Sequence, residues 1–172
     1  MKTLSLSMSF LLLVFSALVS GAEASPPEPI RFMMTPHAHG DLIVFSYQGD
    51  LWVVTRDGEP VRRLTNHLAR DVSPRFSPDG NWVAFSSDRF GNDDVFVVPV
   101  EGGEPVQVTF HTTGDGVEGW TRDGRIMFAT SRSSHPFYSP LYTVSPEGDL
   151  PLPMEMDQAR NAAESFDGRY VV

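Results

Sequence analysis

The chain has 172 residues, 22 acidic against 13 basic side chains, a formal net charge of −9 at pH 7 and no cysteine. A balance this acidic argues against a nucleic-acid partner. The absence of thiols excludes a disulfide, a cysteine nucleophile and a zinc-thiolate site.

At the amino terminus Lys2 is followed by the apolar run Phe10-Leu11-Leu12-Leu13-Val14-Phe15 and then by Ala22-Glu23-Ala24. This is the order of a secretory signal peptide, expected over 1–24 with cleavage after Ala24. The apolar core is short for a membrane span, Pro26, Pro27 and Pro29 follow at once, and nothing further along reads as membrane-spanning. Residues 25–35 are expected to be a linker and lead-in to the first strand. Every basic side chain after Lys2 is an arginine, which reads most simply as compositional habit.

From there the chain repeats. His39-Gly40, Asp79-Gly80, Asp123-Gly124 and Asp167-Gly168 each open a strand-like run, as in Asp41-Leu42-Ile43-Val44-Phe45-Ser46 and Asn81-Trp82-Val83-Ala84-Phe85-Ser86. A second strand follows in three of the blocks, at Leu51–Val54, Val95–Val98 and Leu141–Val144. A third element is expected at Val61–Thr65 and Val106–Thr109, reached through Asp57-Gly58 and Gly102-Gly103, pairs that supply the positive φ of tight turns. A preceding strand at Val72–Phe76, Val117–Trp120 and Asn161–Phe166 completes the units. Four antiparallel strands in roughly 44 residues is the size of a propeller blade.

The fold class is therefore all-β. Residues 36–172 form a partial propeller of about three and a half blades, near 30–66, 71–110, 116–155 and 160–172. The aromatics Trp52, Phe76, Trp82, Phe85, Phe96, Trp120, Phe128 and Tyr142 recur at matching strand positions and are expected to fill the spaces between sheets. A stacking platform for sugar or peptide is the sharper alternative.

Catalytic signatures are absent: there is no G-x-S-x-G, H-E-x-x-H, phosphate-binding glycine loop or dinucleotide fingerprint. His37 and His39 are two apart and could share one side of an extended segment, but no third ligand is placed, and His39 is expected in the turn before the first strand. His67, His111 and His135 read as loop residues. The loop Ser87–Asp94 is rich in oxygen ligands yet lacks EF-hand spacing. It is expected to be a structural hairpin in which Asp88 pairs with Arg89 or with a neighbouring blade. No catalytic, cofactor-binding or metal-binding residue is assigned, and no cofactor is expected.

The phrase Phe76-Ser77-Pro78-Asp79-Gly80-Asn81-Trp82-Val83-Ala84-Phe85 resembles the repeat shared by TolB-like proteins and tricorn peptidases. The succession of His39–Phe45, Gly49-Asp50-Leu51-Trp52 and Ser133–Tyr142 resembles the opening of tricorn-type proteases over about residues 30–172. That resemblance implies a six-bladed propeller followed by a seven-bladed propeller, a PDZ-like segment and a serine-peptidase core, the first propeller lining a route to the active chamber. In the family a basic pair after the second blade can hold a peptide carboxylate. The matching stretch here, Phe110–Gly119, has no arginine or lysine, its Asp115 and Glu118 would repel a carboxylate, and Arg122 is the nearest substitute.

The function implied is scaffolding or gating in an exported, periplasmic oligopeptide-degrading serine peptidase whose catalytic core lies beyond this segment. A non-catalytic TolB-like interaction propeller is the alternative, and the cap of a prolyl-oligopeptidase-like hydrolase a third. Expected partners are a peptide substrate or protein, and the rest of the same polypeptide. A chain stopping at Val172 would expose unpaired strand edges and is expected to be poorly stable or to self-associate.

Overall fold

The computed structural model describes residues 32–132, 139–155, 162, 164, 165, 170 and 171. The expected signal peptide, His135 and most of the fourth block lie outside them.

Among the described residues, twelve strands make three antiparallel sheets, each in simple chain order. Sheet one holds β1 (Met34–His39), β2 (Leu42–Tyr47), β3 (Asp50–Thr55) and β4 (Val61–Arg63). Sheet two holds β5 (Asp71–Phe76), β6 (Trp82–Ser87), β7 (Asp94–Pro99) and β8 (Val106–Gln107). Sheet three holds β9 (Asp115–Trp120), β10 (Ile126–Thr130), β11 (Leu141–Val144) and β12 (Leu152–Pro153). No helix occurs among the described residues.

The repeated turn has a common wiring. Gly80 has φ +74° and Gly124 φ +85°, the left-handed region open to glycine. The Gly80 N–H donates to the Ser77 carbonyl at 2.9 Å and the Gly124 N–H to that of Thr121 at 3.0 Å. The Ser77 and Thr121 hydroxyls each donate to the turn aspartate at 2.5 Å and accept an N–H from where the next strand begins, that of Trp82 at the head of β6 or of Arg125 just before β10. In the fourth block Ser165 N–H donates to the Tyr170 carbonyl at 2.8 Å, Tyr170 N–H donates to Ser165 Oγ at 3.0 Å, and Glu164 bridges Val171. Ser165 and Tyr170 thus repeat the two hydrogen bonds that join Ser77 and Trp82.

Packing explains the strand sequences. β7 has no polar alternation because sheet two is covered on both faces. Phe96 and Val98 join Val44, Leu51 and Val53 of sheet one, whereas Val95 and Val97 join Val117, Ile126 and Phe128 of sheet three. The first strands β1, β5 and β9 adjoin one another in succession, and β4, β8 and β12 form the opposite edges.

Several expectations are corrected. His39 is not in the turn but ends β1, paired with Leu42. Trp82 does not fill an inter-sheet space: it is 37% exposed at the start of β6, while Phe76, Phe85, Phe96 and Phe128 are buried. The third elements are shorter than Val61–Thr65 and Val106–Thr109, because Thr65 and Thr109 leave the ladder. Their hydroxyls accept the N–H of Leu51 at 2.9 Å and of Val95 at 3.0 Å.

Candidate functional site: the inner-strand face

The first strands border a cavity of about 440 Å³, lined by Pro36, His37 and His39 of β1, Arg75 and Phe76 of β5, and Glu118 and Trp120 of β9, with Ala162 and Glu164 from the fourth block. Close approach at this face favours a glycine: a Cβ on Gly119 would stand 3.2 Å from both the Ala162 carbonyl and the Met127 methyl. The strands are tied across the face by side chains. Phe76 N–H donates to His37 Nδ1 at 3.1 Å, Arg75 Nε donates to the Glu118 carbonyl at 3.0 Å, and Trp120 Nε1 donates to the Arg75 carbonyl at 2.9 Å.

Burial holds the His37 imidazole below its ordinary titration range, and the Arg75 and His39 charges push the same way. His37 and His39 do lie close together, each ring 6.0 Å from that of Phe76. No group of three or more His, Asp or Glu residues converges as metal ligands would among the described residues.

The oxygen-rich loop after β6 is tied to the loops on either side of it. Asp88 accepts the Arg70 N–H at 2.8 Å, and the Asn92 amide donates to the His111 carbonyl at 3.0 Å. Arg89 pairs not with Asp88 but with Asp71, at 2.8 Å, the aspartate fully buried. Arg132 repeats this with Asp115 at 2.6 Å, so Asp115 faces an internal guanidinium rather than an incoming carboxylate. Each guanidinium also lies over two rings: Arg89 over Phe85 and Phe96, Arg132 over Phe128 and Tyr142. The arginines that read as compositional habit therefore do specific structural work. The signal was present as the spacing from Asp71 to Arg89 and from Asp115 to Arg132, nearly the same in the two blocks.

His67 and His111 are loop residues, each accepting through Nδ1 the N–H two residues on, from Ala69 and Thr113. The Arg122 N–H is taken by the Glu164 carboxylate, which fixes the turn of sheet three to the fourth block.

A second repeated cluster gives a pH-dependent contrast. Asp50 is buried against Arg63, whereas the equivalent Asp94 meets Gln107 Nε2 at 3.0 Å. Burial, with Asp115 nearby, raises Asp94 above the ordinary carboxylate range. The folded state therefore binds more protons than the unfolded chain just above that range, and stability falls as pH rises through the raised value. Asp94→Asn is expected to match or exceed the native chain in stability at pH 7, the difference vanishing as pH falls to about 4. Asp50→Asn, which strips Arg63 of its partner, is expected to cost about 1–2 kcal/mol at pH 7. Urea unfolding across pH checks both.

Three sheets of four antiparallel strands, joined in succession with their first strands converging, define consecutive blades of a β-propeller. The family described as the Tricorn protease N-terminal beta propeller domain matches residues 30–172, and the chain belongs to that family. Tricorn protease homolog 1 of Streptomyces coelicolor is 38% identical over 106 residues, covering 61% of this chain and 10% of that protein. The tricorn protease of Thermoplasma acidophilum is 28% identical over 154 residues, covering 83% and 14%. A crystal structure of the tricorn protease superposes with a TM-score of 0.67 at 26% identity, over 79% of this chain and 14% of that one. TolB from Acinetobacter baumannii shares the fold, with a TM-score of 0.64 at 20% identity, over 80% of this chain and 36% of that one. The chain spans between a tenth and a seventh of the length of these tricorn relatives.

Proposed function

We propose that this segment is the front of the first propeller of an exported tricorn-like serine peptidase that degrades oligopeptides, and that its inner-strand face scaffolds or gates access to a catalytic core elsewhere in the polypeptide. The observation that carries the reading is the family match along residues 30–172. The inner-strand cavity supplies a surface on which gating would act, and the leader-like segment at 1–24 supports export to the periplasm.

The complete polypeptide containing this propeller is expected to hydrolyse oligopeptides, to be blocked by a serine-directed reagent, and to be recovered outside the inner membrane beginning at Ser25. A complete polypeptide that hydrolyses no peptide would overturn the reading. It would favour a TolB-like interaction propeller, for which the specific support is 43% identity over 61 residues to the Protein TolB homolog of Chlorobium luteolum.

A further inference from the structure

The two seams of the inner face are tied by different chemistry at one repeat position. His37 pairs with Val44 across sheet one, and Arg75 pairs with Ala84 across sheet two. Val44 and Ala84 each stand four residues after the turn glycine, Gly40 or Gly80, so His37 and Arg75 are equivalents. Each reaches from one first strand to the next. The Arg75 guanidinium, charged at any ordinary pH, donates to the Glu118 carbonyl, and Trp120 Nε1 donates back to the Arg75 carbonyl. His37 instead accepts, taking the Phe76 N–H on Nδ1. An imidazole accepts only while neutral. β5 is an edge strand of its sheet, so this donor lies outside its own ladder, and losing the acceptor leaves a half-buried N–H unpaired.

We infer that the seam between β1 and β5 is an acid-labile latch, closed by neutral His37 and released by its protonation, while the seam between β5 and β9 is indifferent to pH. Protonation removes the acceptor and sets a cation beside His39 on β1 and Arg75 on β5. The acidic groups lining the same cavity are Glu118 of β9 and Glu164 of the fourth block. Glu118 acts on Arg75 and Glu164 holds the Arg122 N–H. The depression of His37 by burial, Arg75 and His39 sets the sign: the closed latch is fully present above the unfolded imidazole value of about 6.5 and is lost as pH falls below it. Release would separate β1 from β5 at the cavity, widening the face on which gating is proposed.

The test is amide hydrogen exchange on the full chain from about pH 7.5 to about pH 5, spanning the ordinary imidazole range, after correction for intrinsic rates. Protection of the Phe76 amide is expected to fall by up to about tenfold per pH unit below about 6.5, the limit for opening coupled to one proton. The Val117 amide of β9, which donates to the non-titrating Ser86 hydroxyl of β6 at 2.8 Å between the second and third sheets, is expected to stay flat. His37→Asn, whose amide oxygen can take the place of Nδ1 without titrating, is expected to flatten the Phe76 profile. A Phe76 profile that tracks Val117, or one that survives in His37→Asn, would overturn the latch. Should that variant fail to fold, nitrogen NMR of the native chain decides. Unprotonated Nδ1 at neutral pH, with ionisation below the ordinary value, supports the latch, and protonated Nδ1 or ionisation at or above that value overturns it.

Discussion

Replacing Arg89 with methionine is expected to lower folding stability by about 3–5 kcal/mol, the usual penalty for stranding a buried charge. Asp71 is fully buried, and Arg89 supplies its side-chain partners, 2.8 Å from one carboxylate oxygen and 3.4 Å from the other. Methionine keeps an unbranched apolar side chain but supplies neither the cation over Phe85 and Phe96 nor a partner for the buried carboxylate. The Asp71 backbone is separately committed, its carbonyl to the Ser46 hydroxyl at 2.6 Å and its N–H to the Gly49 carbonyl at 2.8 Å, so the carboxylate has no easy way to turn outward. Pairing Arg89→Met with Asp71→Asn removes the stranded charge and is expected to recover most of the loss. The reading is urea unfolding of the two single variants and the double variant at pH 7. Losses that simply add, or a single-variant loss below about 1 kcal/mol, would show that the pair behaves as a surface ion pair. Arg132→Met, which strands Asp115, is expected to behave alike.

These pairs mark where sequence reasoning ran out. The turns were legible because Asp-Gly chemistry is local: Ser77, Asp79 and Gly80 satisfy one another within a few residues. The strands following each turn were equally legible, since β-branched and aromatic residues at a fixed offset have few other uses. β1 was harder to see. Its sequence Met-Thr-Pro-His-Ala-His has a single usual strand former, Thr35, and its pairing with β2 slips between Met34 and His37, so His39 reads as turn while ending a strand. The partners of Arg89 and Arg132, hinted at only by a recurring spacing, were hard to assign for another reason. Each reaches a residue 17 or 18 positions earlier, at the head of the strand two back, and only the order of strands within a sheet brings the two together. The inner face was illegible in the same way, because it belongs to the convergence of β1, β5 and β9 and to no single motif.

The same limit applies to the aromatics, where recurrence in sequence joined residues that the structure separates. Phe85→Ala is expected to cost about 3–5 kcal/mol, as a buried phenylalanine truncated to alanine does. Trp82→Ala, three residues away on the same strand, is expected to cost less than about 1 kcal/mol, in line with changes outside a core. Phe85 is fully buried on the face of sheet two that meets Val44, Leu51 and Val53, its ring 5.7 Å from that of Phe96 with the Arg89 guanidinium above it. Its removal opens a cavity between two blades and also strips a ring from the Arg89 pair, so the combined loss with Arg89→Met is expected to fall short of the sum of the two single losses, the shared contact being counted in each. Phe85→Leu refills much of the volume and is expected to cost about 1–2 kcal/mol. Trp82 loses no comparable packing, because it is 37% exposed and lines a groove shared with Pro78, Trp120 and Pro146. Urea unfolding of the three variants gives the order directly. If Trp82→Ala were as damaging as Phe85→Ala, the rim tryptophan would be holding the blades together, and sequence recurrence would have been the better guide to the core.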